Sequence, residues 1–79
     1  MTRSEFLDEV ERLGIDPRSF GLFEVVDEAY VVLYGSHRWT TFYSERSLRT
    51  GECHFRSEVA ALDDLFRRIR SGPAARMVS

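Results

Sequence analysis

The run Ala29-Tyr30-Val31-Val32-Leu33-Tyr34, answered across Gly35-Ser36 by His37 to Ser44, constrains the fold more than any other part of this chain. Its β-branched and aromatic side chains suit a pleated surface, and Gly35-Ser36 is one of the dipeptides expected of a type II′ hairpin. A hairpin closed there sets Tyr34 opposite His37, Val32 opposite Trp39 and Tyr30 opposite Thr41. Side chains alternate along a strand, so one face carries Tyr30, Val32, Tyr34, His37, Trp39, Thr41 and Tyr43. The other carries Ala29, Val31, Leu33, Arg38, Thr40 and Phe42.

Helical patterns stand on both sides of this β region. Thr2 and Glu5 have the spacing of a capping box, after which Phe6, Leu7, Val10 and Leu13 recur at helical period. Gly14 occupies the place of a left-handed C′ residue, with Ile15 set to pack back on Val10. Asp16-Pro17 reads as a turn, with Asp as cap and Pro in the first position. Leu22, Phe23, Val25 and Val26 suggest a short first strand, broken by Asp27-Glu28. After the hairpin, Glu45 to Gly51 reads as a polar connection turning at Thr50-Gly51, and Glu52 to Arg56 as a short last strand. Ser57 caps a second helix whose stripe is Leu62, Leu65, Phe66 and Ile69. Its acids Glu58, Asp63 and Asp64 come early and Arg67, Arg68 and Arg70 late, which complements the helix dipole. Gly72-Pro73 ends it, and residues 72–79 are expected to form a flexible tail.

The order predicts an α+β two-layer sandwich in residues 1–71: helix, antiparallel sheet of about four strands, helix, with both helices on one face. The Ala29/Val31/Leu33 face is the smaller and smoother, and it suits the helices. The face bearing tyrosine and tryptophan is then left open; the alternative is that Trp39 and its neighbours are core, with the Ala29/Val31/Leu33 face half solvated or covered by a dimer mate.

An open aromatic face has the composition of a binding surface, because such rings supply contact area while their polar tips tolerate water. The candidate contact residues on the sheet are Tyr30, Tyr34, Trp39, Tyr43, Glu45, Arg46 and Arg49, with Arg38 also at the rim. On this reading Trp39→Ala weakens partner binding more than folding. A second, weaker candidate is the acidic first helix through Glu5, Asp8 and Glu9. Residues 1–28 hold eight acidic side chains against three arginines, whereas residues 29–79 hold eight arginines against five acids. An acidic end of this kind suits a basic partner.

Other chemistry finds little support. A chain of 79 residues has room for one core, and most of its large apolar side chains are needed there. Cys53 is the one cysteine, which excludes an intramolecular disulfide and suits a reducing compartment. Cys53 and His54 are neighbours on a strand and point to opposite faces, so no shared metal and no nucleophile–base pair is expected. Asp63 and Asp64 read as a solvated helix face. No phosphate-cradling glycine loop, zinc spacing or nucleophile elbow is present, so neither catalysis nor a cofactor is expected. Arginines interleaved with aromatics could engage single-stranded nucleic acid. The net charge of −2 and the lack of lysine argue against that partner. No membrane-spanning run or signal-peptide core is visible, so the chain is expected to stay in the cytoplasm.

Three segments carry a resemblance: Ala29-Tyr30-Val31-Val32-Leu33, Arg38-Trp39-Thr40-Thr41-Phe42-Tyr43-Ser44-Glu45-Arg46, and Phe55-Arg56-Ser57-Glu58. Over residues 12–69 the chain resembles small actinobacterial immunity-type proteins found beside secreted polymorphic toxins. It departs from that pattern at Ser47, where glycine is usual, and at Ala61-Leu62, where a cysteine tends to stand. The resemblance implies toxin neutralisation by stoichiometric binding and supplies no catalytic residues. The alternatives are a homodimeric accessory protein that hides its aromatic face against itself, and the single-strand binder.

Overall fold

Thr2 and Glu5 start the first helix by mutual capping. Thr2 Oγ1 accepts from the Glu5 amide at 3.2 Å, and Glu5 Oε1 accepts from the Thr2 amide at 2.7 Å. The computed structural model describes residues 1–71, so the expected Gly72-Pro73 stop and the tail lie outside the described residues. Helix α1 spans Arg3–Arg12 and buries Phe6 and Val10, while Leu7 and Leu13 of the same stripe stay exposed. Its end is a Schellman closure as expected. Ile15 N donates to Val10 O at 2.9 Å and Gly14 N to Glu11 O at 3.1 Å, with Gly14 at φ +69°. Asp16 then caps a single 3-10 turn, Pro17–Ser19, by accepting from the Arg18 amide at 2.9 Å.

Four strands follow in spatial order: β1 (Phe20–Leu22), β2 (Ala29–Gly35), β3 (Arg38–Glu45) and β4 (Leu48–Phe55). The class is α+β, but the sheet is mixed rather than a pure antiparallel meander. β1 runs parallel to β2, with Phe20 opposite Tyr30 and Leu22 opposite Val32. The expected first strand at Leu22 to Val26 is displaced for a backbone reason. Phe23 turns to φ +64°, donates its amide to Val32 O at 2.8 Å, and ends the strand there. Residues 24–28 return along the sheet, and Gly21 permits it. A Cβ at Gly21 would lie 2.4 Å from the Glu24 carbonyl oxygen and 3.0 Å from Val26 Cγ2. Only a residue without a side chain lets the return loop press so close.

The β2–β3 turn also differs in detail. Ser36 and His37, at φ +54° and +62°, form the two-residue loop in the left-handed pair that type I′ requires. Tyr34 therefore lies opposite Trp39, Val32 opposite Thr41, and Tyr30 opposite Tyr43. The turn moves by one residue, which slides each partner by two and leaves every side chain on its expected face. His37 alone leaves the face for the loop. The β3–β4 turn is Arg46–Ser47, again with both φ positive, not Thr50-Gly51. Gly51, at φ +64°, instead sits at the register shift between Thr41 and Tyr43, where a bulge lets β4 carry extra chain.

Helix α2 (Glu58–Ser71) opens with Ser57, whose hydroxyl accepts from the Ala60 amide at 3.1 Å. Its Ala61, Leu62, Leu65 and Ile69 join Phe6 and Val10 of α1, Ile15 and the β2 residue Val32 in one buried cluster. Tyr30, Trp39, Phe55 and Phe66 pack against that cluster. This corrects the expected layering for α2, which lies on the aromatic side of the sheet, where its Asp64 accepts from Thr41. The reason is shape. Val32 and Thr41 form a low rung between two tall aromatic rungs, and α2 packs on β2 and β3 over it. The opposite side is not bare either. Ala29, Val31 and Phe42 are fully buried there, beneath the return loop and the Arg49 guanidinium, which lies 4.4 Å above the Phe42 ring.

Candidate protein-binding surface

Two cross-strand ring pairs stand on the aromatic side. Tyr34 and Trp39 lie 4.5 Å apart between ring centres, and Tyr30 and Tyr43 lie 4.9 Å apart in an edge-on arrangement. Each ring holds its partner's rotamer, so these side chains lose little freedom on contact with another surface. Tyr34 is 54% exposed, while Tyr30, Trp39 and Tyr43 are half-buried. Beside the second pair, Tyr30, Tyr43, Thr50, Gly51, Arg67, Arg68 and Ser71 line a shallow cleft of about 450 Å³ between α2 and the β3–β4 pair.

A polar network adjoins that cleft through Gly51, Arg67 and Arg68, and sequence reasoning missed it. Asp64 is buried, not part of a solvated face: its carboxylate accepts from Thr41 Oγ1 at 2.7 Å, from Arg68 Nε at 2.9 Å, and from Arg67. Arg68 also donates to Gly51 O at 2.5 Å and to Cys53 Sγ at 2.9 Å. The network ties α2 to the bulge in β4. The i,i+3 and i,i+4 spacing of Asp64 to Arg67 and Arg68 was a visible signal, although spacing does not say whether a pair is buried.

The remaining candidates scatter. Glu45 ends β3 opposite the exposed Leu48, and Arg46 in the turn gives its backbone amide to Asp27 Oδ1 at 2.7 Å. Arg49 pairs with Ser44 on the far side of the sheet, over Phe42 and bonded to Glu52, so it does not rim the tyrosines. On α1, Glu5 is used in the capping box and Glu9 is bound by Arg12 at 2.6 and 3.0 Å. The Arg12 hydrogen bond holds the Glu9 carboxyl below its ordinary range. Of these three candidate acids Asp8 alone has no bonded side-chain partner among the described residues. Cys53 and His54 do face opposite ways, Cys53 toward Arg68 and His54 toward Thr40 Oγ1 at 2.9 Å. Among the described residues no three His, Cys, Asp or Glu side chains converge as a metal site would need, and no helix is long and apolar enough to cross a membrane.

No family model, no curated protein and no solved structure matches this chain.

The electrostatics of the cleft can be tested directly. Burial, reinforced by Glu45, Glu28, Tyr30 and Asp27, raises the Tyr43 phenol above its ordinary value of 10.0. A phenol with a raised folded-state pKa contributes stability that is complete below the unfolded-state value and is lost as pH climbs through the folded one. Absorbance titration should therefore show a late-titrating phenol that Tyr43→Phe removes, with the variant less sensitive to alkali. Loss of an early-titrating phenol instead would contradict the assignment.

Proposed function

We propose that this chain is a non-catalytic protein-binding module of the immunity type, which neutralises a toxin domain by direct stoichiometric binding in the cytoplasm. In this reading both helices form one layer on the aromatic side of the sheet, and the partner docks along the margin they leave uncovered. The observation that carries it is the pair of ring ladders, Tyr30–Tyr43 and Tyr34–Trp39, each ring packed on its partner yet partly open, the first beside Arg67 and Arg68 of α2. Tyrosine, tryptophan and arginine dominate the energetics of protein interfaces, above all where neighbouring side chains already hold them in place. The resemblance of the strand and helix-start segments points to the same class of partner.

The test is co-expression with the toxin encoded beside it, followed by isolation of the complex. Rescue of growth and a one-to-one complex are expected. Tyr34→Ala should weaken that complex by about 30-fold, the effect of losing a ~2 kcal/mol hot spot, while leaving the unfolding midpoint nearly unchanged. If growth is not rescued and no complex elutes, the proposal fails.

One observation favours a second reading, self-association. β4 is an edge strand, and Leu48 on it is 68% exposed. Sedimentation equilibrium decides it, since a strict monomer at high concentration eliminates a homodimer.

A further inference from the structure

The turn end of the β2–β3 hairpin brings two arginines to one cleft that no acid lines among the described residues. Ser36, His37, Arg38, His54, Phe55 and Arg56 line a cleft of about 340 Å³, and no carboxylate is among them. Trp39 pairs with Phe55 at the end of β4, and Arg38 and Arg56, the residues next to that pair, both line the cleft. Arg38 shares the face on which Thr40 meets His54. Two like charges brought to one cleft repel each other. By contrast Arg3, Arg12, Arg18, Arg49, Arg67 and Arg68 each meet a carboxylate, and Arg46, whose side chain meets none, stands apart in the β3–β4 turn. Among the described residues, Arg38 and Arg56 meet none.

We infer that this cleft binds a dianionic phosphate group, held between Arg38 and Arg56 with His54 and the Ser36–His37 turn at its sides. A single carboxylate would neutralise only one of the two guanidinium groups. A phosphate monoester carries about −1.5 to −2 charge at neutral pH and offers three strong acceptor oxygens. That matches two guanidinium forks, each able to donate a pair of parallel hydrogen bonds. The hydrogen bond between His54 Nδ1 and Thr40 Oγ1 orients the imidazole, which lines the cleft and keeps its other ring nitrogen for a ligand. The inference is independent of toxin binding, since none of the ladder rings lines this cleft and the ligand is different.

The experiment is an amide-resolved NMR titration of the full chain at constant ionic strength with inorganic phosphate, phenyl phosphate, acetate and a short oligothymidylate. Saturable shifts confined to the amides around Ser36–Arg38 and His54–Arg56 are expected with inorganic phosphate. Phenyl phosphate binding more tightly would assign the site to a phosphate monoester, and equal binding would assign it to free phosphate. Arg38→Gln and Arg56→Gln should each weaken binding by about tenfold or more, the effect of losing a charge-assisted hydrogen bond, with Arg46→Gln as the unaffected control. In phosphate-free buffer Arg38→Gln should unfold at the same or a higher temperature than the parent, because the repulsion is relieved. Four results would each overturn the inference: shifts that do not saturate, acetate binding as tightly as phosphate, the oligonucleotide displacing phosphate from the same amides, or a lower unfolding temperature for Arg38→Gln.

Discussion

Asp64→Ala is expected to lower the free energy of unfolding by about 3–5 kcal/mol, the cost of stranding a buried ion-pair partner. The side chain of Asp64 is 7% exposed and that of Arg68 16% exposed, so little water can replace the lost carboxylate. The alanine variant leaves the Arg68 guanidinium facing Cys53 Sγ and the Gly51 carbonyl, and the Thr41 hydroxyl loses its acceptor. Asp64→Asn should fall in between, because it keeps an acceptor for Thr41 and loses the charge. The pair is not a stabilising device in itself. Replacing both members with apolar side chains of similar volume, as in Asp64→Leu with Arg68→Met, should restore most of the loss. Denaturant midpoints at unchanged slope measure all three. A loss for Asp64→Ala below about 1 kcal/mol, the range of exposed ion pairs, would show that solvent already serves Arg68.

The second large effect is Trp39→Ala, for which about 2–3 kcal/mol is expected, somewhat less than the ~3–5 kcal/mol of a fully enclosed ring. For so small a domain that is a large part of a total of order 5 kcal/mol. The indole packs against the helical cluster, stands opposite Phe55 and supports Tyr34. The sequence alone suggested that this substitution would weaken partner binding more than folding. The packing of the indole assigns the substitution a large folding cost of its own. Tyr34, more than half exposed on the same rung, is the residue whose removal should spare the fold, at about 1 kcal/mol or less. If Trp39→Ala leaves the unfolding midpoint in place, the packing described for the aromatic side is wrong.

Much of the local structure was legible because it depends on neighbours in the chain. The capping box at Thr2 and Glu5, the Schellman closure at Gly14 and Ile15, the Asp16 cap and the Ser57 cap are set by residues within five positions of one another. The division of the hairpin into two faces was legible for a similar reason. Alternation has a period of two, so moving the turn by one residue preserves the faces. The turns themselves were not legible. Ser36-His37 and Arg46-Ser47 lack the asparagine, aspartate or glycine that marks type I′ loops, while the nearby Gly35 and Gly51 attracted the assignment.

By itself, then, the sequence determined two capped amphipathic helices, a central aromatic hairpin and the opposite facing of Cys53 and His54. Only the tertiary structure decided the parallel first strand, the side on which the helices' core residues lie, and the burial of Asp64. These depend on contacts between residues far apart in the chain: Phe23 with Val32, Glu24 across Gly21, and Thr41 with Asp64. A periodic pattern states which side chains share a face, but it carries no term for which face closes. That is settled by how heights along the sheet fit the helix laid over it, with Val32 and Thr41 low between the paired rings.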